Sequence, residues 1–505
     1  MTTTLRTPYS RVWIIQHRAG PSHQPVFQAT AKAGAPEHSL GDVTPVYEPS
    51  KDQFGKFEEV GVTRGAEDRP TMQLMFRYKD ARSAIEKMAK AGCPFDIQVH
   101  FGACKEPTNY AKGWNKIIAF ENAYPTNYAL GDLGAFEQSE DAAIDETVDV
   151  SGQWFYEIIP MAYAQRAQTE VAQEITAIVV GDNISCGECD RPSDGCQAVF
   201  AVSAPSPSSP GVKAEVIFSD DSFVTAGDTW VSTLNIGEDA SDAVPMGDNL
   251  IIISNDSNSI HWADMEDILN GMETWAEVST GFVALKVPNC ITKASAADAW
   301  IGADDGYIYY TADPTQGVEV QDAGNATTED INDIHAYNTQ VVIAGADAGI
   351  VLYTLDGQAW AQTVTSPDPV NLPNIMMVCA KDEKTWFAGT NDGALWYTTN
   401  QGVTWTQKRI PGGDDEGGGG TLVFDDMKFA TNMVGYLAVH TAVPAGKLLR
   451  TIDGGYSWYL VPEGAGSIPA NDYINSLDVC VKEANVVFAG GLADSAADGI
   501  IIKGS

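Results

Sequence analysis

Between residues 375 and 408 the apolar positions fall into four short runs, "IMMVCA", "TWFAGT", "ALWYTT" and "VTWTQK". Each is rich in β-branched and aromatic residues and too short for a helix. Turn formers separate them: Lys381 and Asp382, then Asn391, Asp392 and Gly393, then Asn400, Gln401 and Gly402. Four consecutive strands joined by tight turns predict one antiparallel meander. The same order recurs, with third strands reading "AEVIFSDD", "SIHWADM", "YIYYTAD", "IVLYTLD", "ALWYTTN", "KLLRTID" and "GIIIKG". Stepping back from Trp458 gives Trp405, Trp360, Val320, Trp275 and Trp230, at intervals of 40 to 53 residues.

Four strands per repeat of that length are the signature of a propeller blade, and seven third strands predict seven blades. The seventh run falls at 499–504 with no fourth strand after it. Its partner is therefore expected from the N-terminal side, from the segment preceding or including "EITAIVVGD" (174–182). Closure of this kind removes an open sheet edge.

Residues 1–165 have another texture. The runs "RVWIIQH", "TMQLMFRY", "FDIQVHFG" and "WNKIIAFENAYPTNY" predict strands. "KDARSAIEKMAKAG" predicts a helix ended by Gly92, with Ala84, Ile85, Met88 and Ala89 on its buried face. A polar loop and a closing strand follow in "LGDLGAFEQSEDAAIDETVDVSGQWFYEIIP". One helix among antiparallel strands predicts an α+β or β-sandwich domain. The expected organisation is mainly β, in two domains: 1–168, a sandwich or barrel with one helix, and 169–505, a seven-bladed propeller.

At 505 residues with 44% hydrophobic content the chain has enough apolar material for separate cores. The first 20 residues hold no apolar signal-peptide core, and no run of 18 apolar residues occurs. The sequence thus predicts a soluble protein with no membrane partner. Charge is unevenly spread. Residues 1–170 carry 17 basic and 22 acidic side chains, leaving 13 and 46 of the chain's 30 and 68 for the rest, a formal −5 against −33. A surface that negative repels nucleic acid and anionic membranes.

Candidate chemistry is sparse. "RTIDGGYSW" (450–458) places Thr451, Asp453, Gly455, Ser457 and Trp458 at the offsets that Thr398, Asn400, Gly402, Thr404 and Trp405 occupy in "YTTNQGVTW". A constellation written twice points to architecture. The Asp or Asn can bond turn amides, the Gly can adopt a positive φ, and the Trp can lie beneath the loop. These ten residues are read as turn builders; no catalytic, cofactor-binding or metal-binding residue is assigned, and no cofactor is expected.

The spacing resembles the Asp-box of BNR-type repeats, which occur in sialidases and in many non-catalytic propellers. It is one residue shorter in "TLDGQAW" (354–360) and degenerate in "YTADPTQGVEV", where Val320 stands in for Trp. A sialidase needs three convergent arginines to grip its substrate carboxylate. From residue 171 onward the arginines are Arg191, Arg409 and Arg450. Arg450 leads into a box turn and Arg409 follows a fourth strand, so the resemblance implies a propeller without that triad.

His261, His335 and His440 are scattered, with no HExxH, and neither a P-loop nor a GxGxxG stretch occurs. "NDSNS" (255–259) and "GGDDEGGGG" (412–420) are acidic loops that match no EF-hand. Cys93, Cys104, Cys290, Cys379 and Cys480 lie far apart and read as buried apolar residues. Cys186, Cys189 and Cys196 share one loop, where a disulfide, free thiols or a zinc site lacking its fourth ligand are all open.

The first third also resembles the tail tube proteins of tailed bacteriophages. The likeness lies in "GDVTPVYEPSKDQFGKFEEVGVTRGAEDRPT" (41–71), "GCPFDIQVHFGACKEP" (92–107) and "DLGAFEQSEDAAIDETVDVSGQWFYEI" (132–158). It implies a structural virion protein, made in the host cytoplasm, that stacks with itself and other tail proteins as rings around passing DNA. Loops 31–60 and 131–147 would join the rings, and the propeller would face outward, open to a host surface glycan. The alternatives are a carbohydrate- or protein-binding propeller outside any tube, and a glycoside hydrolase with paired carboxylates about 5–10 Å apart at the central channel.

Overall fold

The computed structural model describes residues 10–16, 25–28, 32–33, 43–49, 57–64, 70–77, 95–102, 114–130, 145–152, 154–160, 163–168, 174–181, 199–203, 214–219, 231–232, 239–365, 372–408, 410, 422–441, 446–461, 473–479, 484–492 and 499–504. They divide into two compact units, Met1–Pro160 and Met161–Ser505. The expected boundary at 168 lies too late. Tyr163–Gln168 pairs with the last strand of the chain and belongs to the second unit.

In the first unit an antiparallel sheet runs in the order Pro25–Gln28, Ser10–Gln16, Phe95–Gly102, Trp114–Leu130, Asp145–Ser151, Thr71–Arg77 and Lys32–Ala33. The 17-residue strand Trp114–Leu130 changes partners along its length. Its first half lies between Phe95–Gly102 and Trp154–Ile158, and its second half pairs with Asp145–Ser151. Asn122 takes a φ of 49° near the changeover, and its N–H donates to Asp96 Oδ1 at 2.9 Å.

Alternation sends Phe95, Ile97 and Val99 into one cluster with Met72, Phe120, Ala123, Val148 and Val150. The opposite face of that strand carries Asp96, Gln98 and His100, which are also buried. Burial lowers the His100 pKa to about 3, keeping the ring neutral beside Gln98 Oε1 at 2.9 Å. Among the described residues this pairing makes one branched eight-stranded sheet. Val43–Pro49 and Phe57–Arg64 form a separate two-stranded hairpin. The expected helix at 79–92 lies outside the described residues.

The second unit contains seven four-stranded antiparallel sheets among its described residues. Every third strand expected from sequence is a third strand here, including Val216–Ser219, Lys447–Thr451 and Gly499–Gly504. The innermost strands are Ile175–Val180, Ala240–Met246, Pro288–Lys293, Ile331–Ala336, Ile375–Ala380, Leu422–Phe429 and Tyr473–Val479. Each touches the next, and the seventh touches the first, so the sheets close as the blades of a propeller. Blades are numbered from Ile175–Val180.

Blade 7 takes its outer strand from Tyr163–Gln168, which pairs antiparallel with Gly499–Gly504. Apolar clusters fill the spaces between neighbouring blades. One joins Ala177, Val179 and Phe200 of blade 1 to Leu250 and Ile252 of blade 2. The short helix Met265–Leu269 in blade 2 is capped by Asp264, which accepts from Glu266 N at 2.9 Å. No helix among the described residues is long and apolar enough to cross a membrane.

Candidate functional site

Every innermost strand carries a β-bulge at the same level, at Thr176, Ser241, Asn289, Asn332, Met376, Asp425 and Asn475. An innermost strand has sheet neighbours on one side only, so its other edge presents unpaired backbone groups to the axis. A bulge re-aims the side chains that follow it. Here they reach across to that unpaired edge of the next blade.

The residue after the bulge accepts a backbone N–H from the next blade. Asp242 Oδ2 takes Ile291 N at 3.0 Å, Asp333 Oδ2 takes Val378 N at 2.7 Å, and Asp426 Oδ2 takes Leu477 N at 2.9 Å. Ser476 Oγ takes Ile178 N at 3.0 Å, across the seam where the ring closes. Two residues later the pattern repeats. Thr292 Oγ1 accepts from Ala336 N at 3.1 Å, His335 Nδ1 from Ala380 N at 3.2 Å, and Asp478 Oδ2 from Val180 N at 2.8 Å. At the bulge itself the chemistry inverts, because carbonyls now face it. The amides of Asn289, Asn332 and Asn475 donate to the carbonyls of Ile331, Ile375 and Ile175, at 3.1, 3.0 and 3.2 Å.

Four carboxyls, Asp242, Asp333, Asp426 and Asp478, thus gather at the axis. Lys428 Nζ stands 3.7 Å from Asp426 Oδ1, with 37% of its side-chain surface accessible although protein surrounds it. Burial pushes Asp242 up to about 7, and Asp333 and Asp478 to about 6, against the backbone bonds that favour their ionised forms. Burial alone would lower the Lys428 ammonium, but Asp426, Asp478, Asp333 and Asp242 hold it well above its ordinary value. Burial lowers His335 to about 3, so its ring is neutral and Nδ1 is free to accept.

Where the innermost strands begin, His440 Nδ1 bonds Asp425 Oδ2 at 2.8 Å and its ring lies 5.4 Å from that of Tyr473. Tyr473 donates to Glu174 Oε1 at 3.1 Å, and Asn475 bonds the same oxygen. Burial raises Asp425 to about 6, and the bond from Asp425 raises His440. This face also holds the turns between second and third strands, where Asp256, Asp305 and Asp392 are exposed. Exposed Asp330 lies beside them and accepts from Asp305 N at 2.8 Å.

The repeated Thr, Asp, Gly and Trp residues lie on the opposite face. Thr451 Oγ1 donates to Asp453 Oδ1 at 2.8 Å and accepts from Gly455 N at 2.8 Å. Asp453 also accepts from Ser457 N at 2.8 Å and Ser457 Oγ at 2.5 Å. Thr398 Oγ1 accepts from Gly402 N at 3.1 Å, and Asn400 Oδ1 from Thr404 N at 3.0 Å. Gly402 and Gly455 have φ of 77° and 86°. Trp458 is 6% exposed against Phe429, and Trp405 is half-buried beside Trp386.

Sequence alone misses what these turns touch. Each receives a donor from the outer strand of the preceding blade. Gln321 Nε2 bonds Gly357 O at 3.1 Å, Thr363 Oγ1 bonds Gly402 O at 2.8 Å, and Lys408 Nζ bonds Tyr456 O at 3.0 Å. Lys408 also lies over the rings of Tyr397 and Tyr456, and burial lowers it to about 8. The turns therefore clasp the outer seams, as the bulged strands clasp the inner ones.

Two sequence readings need correction. Val318, not Val320, takes the Trp position of blade 3: it is 7% exposed, Val320 is 40% exposed, and Thr311 to Val318 repeats the seven-residue offset. The fourth strand of blade 5 is Thr406–Lys408, shorter than "VTWTQK", because Val403, Thr404 and Trp405 belong to the turn. Arg450 is fully buried, with Nη2 donating to Ala484 O and Asn485 Oδ1 at 2.9 and 2.8 Å.

His261 is buried, with Nε2 3.1 Å from Ser259 Oγ. Cys290 and Cys379 are buried free thiols. No metal-binding group of three acidic, His or Cys residues occurs among the described residues. Arg191, Arg409, residues 412–420 and the other six cysteines lie outside the residues described.

No protein-family model matches the sequence, and no curated protein matches it. Among solved structures it is similar to YCF48 bound to a D1 peptide, at 14% identity and a TM-score of 0.48, over 68% of this chain and 97% of that one. It is also similar to YCF48 from Cyanidioschyzon merolae, at 16% identity and a TM-score of 0.46, over 67% of this chain and 98% of that one. The propeller assignment rests on the strand pairing given above.

Proposed function

We propose that the chain is a non-catalytic binding protein whose propeller holds a cationic protein partner on the face where the innermost strands begin. The carrying observation is the division of polar groups. The carboxylates around the axis are bonded to neighbouring blades, whereas Asp256, Asp305, Asp330 and Asp392 on that face are exposed. Lys286, a described ammonium beside them, is paired with Asp305 and lies over Tyr307. Such a field speeds association with a positive partner and repels an anionic one. The test is binding of the purified chain to oligolysine and oligoglutamate at low and high salt. Salt-sensitive binding of oligolysine, lost in Asp305→Lys/Asp330→Lys/Asp392→Lys, is expected; equal binding of both peptides contradicts the reading.

A second reading, the tail tube subunit, is favoured by the hairpin of Val43–Pro49 and Phe57–Arg64. Its strands bond each other and no other described strand. A two-stranded hairpin is marginal alone in water, so an arm of this kind gains stability from a second copy. Stacked rings use head-to-tail contacts that do not close along the axis. Negative-stain microscopy of the concentrated chain separates the readings: filaments that vanish on deletion of residues 43–64 support the tube, and monodisperse particles exclude it.

A further inference from the structure

The axial ring holds more carboxyls than it can ionise together. At the two levels that reach the next blade, the charged or titratable side chains are Asp242, Cys290, Asp333, His335, Cys379, Asp426, Lys428 and Asp478. Blade 1 contributes Ala177 and Val179 at these levels, and Lys293 approaches Asp478 from blade 3. Fully ionised, four carboxylates face Lys428, with Lys293 farther off. Asp426 is the one within salt-bridge distance of Lys428. The other three each hold a seam, and Asp478 holds the one between blades 7 and 1, where the two ends of the propeller chain meet.

We propose that this ring is a proton-loaded latch, in which Asp242, Asp333 and Asp478 keep protons in the closed propeller and their release as the pH rises loosens three blade-to-blade seams. A shared site for like charges ionises stepwise, and the last protons leave against the charge already formed. With two of the three carboxyls protonated the ring is close to neutral, and a protonated carboxyl still accepts one of its two backbone N–H groups with the carbonyl oxygen and keeps a lone pair on the hydroxyl oxygen for the other. Once all are ionised, repulsion acts across the axis on strands that have no sheet neighbour on that side. Loosening would begin at the inner strands of blades 1, 3 and 5, whose Val180, Ile291 and Val378 amides are the donors. The raised titration of all three carboxyls accords with this, and neutral His335 opposes it by a single proton.

Hydrogen exchange of the full chain, read by mass spectrometry and corrected for the intrinsic rate, tests the latch. Between about pH 5 and about pH 8, protection of peptides spanning 175–180, 288–293 and 375–380 should fall by about tenfold or more, while that of 386–398 holds. Asp242→Asn, Asp333→Asn and Asp478→Asn, singly or combined, carry no charge at any pH and should flatten the dependence at their own seams. Equal protection of the wild-type peptides at both pH values, or a fall shared by all strands alike, would overturn the proposal. An Asn variant that folds and keeps the full pH dependence at its own seam would do the same.

Discussion

Asp333 of blade 4 accepts the backbone N–H of Val378 of blade 5 at 2.7 Å, and accepts Ile334 N of its own strand with its other oxygen at 2.8 Å. One side chain thus satisfies two backbone donors that the sheet leaves over. The same arrangement recurs at Asp242 with Ile291 and Ala243, and at Asp478 with Val180 and Val479. Asp333→Ala should destabilise the propeller by about 2–4 kcal/mol, because each orphaned buried donor costs roughly 1–3 kcal/mol. Denaturant titration at fixed pH checks it. A loss below about 0.5 kcal/mol, the scale of an ordinary surface substitution, would show that the seam bonds are dispensable.

Lys428→Met should be far more harmful at about pH 8 than at about pH 5. Removing the ammonium leaves the axial carboxylates uncompensated, a cost that solvent lowers because 37% of the Lys428 side-chain surface is accessible. At low pH the carboxyls take up protons and need no ammonium. Melting of the variant at both pH values gives the answer, and equal losses would contradict it.

Wild-type stability should fall as pH rises from about 4 to about 7. Folded Asp333, Asp425 and Asp478 titrate near 6 and Asp242 near 7, all above the ordinary 3.8. The folded state therefore binds more protons through that window, and stability present below the unfolded value is lost as pH climbs through the folded ones. His335 and His100, both lowered to about 3, work in the opposite sense below 6.5, two protons against four. Each net proton is worth about 1.4 kcal/mol per pH unit. Urea midpoints that rise with pH over this range would refute the assignment.

The blade count is legible in the sequence because each third strand is a run such as "YIYYT" or "KLLRT" ending at a turn, and those cues are local. Closure by Tyr163–Gln168 is legible too, as the strand missing from blade 7. The seams are not. Val180 and Asp478 are 298 residues apart, and nothing in either neighbourhood marks them as partners. The bulges hide the pattern further, since an extra residue at Asn332 or Asp425 breaks the two-residue alternation by which a strand is read. Val318 is missed for the opposite reason: counting by even Trp spacing overrides the Thr311 offset that fixes it.

Gly455→Ala should destabilise blade 6. The position has a φ of 86°, and an added Cβ would lie 2.5 Å from Phe387 Cζ of blade 5. Strain in that region costs about 1–2 kcal/mol, and the clash adds to it. Trp458→Ala should remove about 3–5 kcal/mol through the cavity beside Phe429. Thermal melting of both reads the effect, and an unchanged midpoint in either would show that the turns do not clasp the seam.

Removing residues 161–170 should expose the edge of Gly499–Gly504, lower the melting temperature and promote association through that strand. Light scattering on heating checks it, and a truncated chain as stable and monomeric as the full one would contradict closure.

The most direct measurement is an experimental three-dimensional structure of the purified full-length chain, by crystallography or electron cryo-microscopy. The account predicts seven four-stranded blades with Tyr163–Gln168 paired to Gly499–Gly504, and Asp242, Asp333 and Asp426 each bonded to the next blade. A ring of six or eight blades, or a last blade made wholly from residues 470–505, would contradict it.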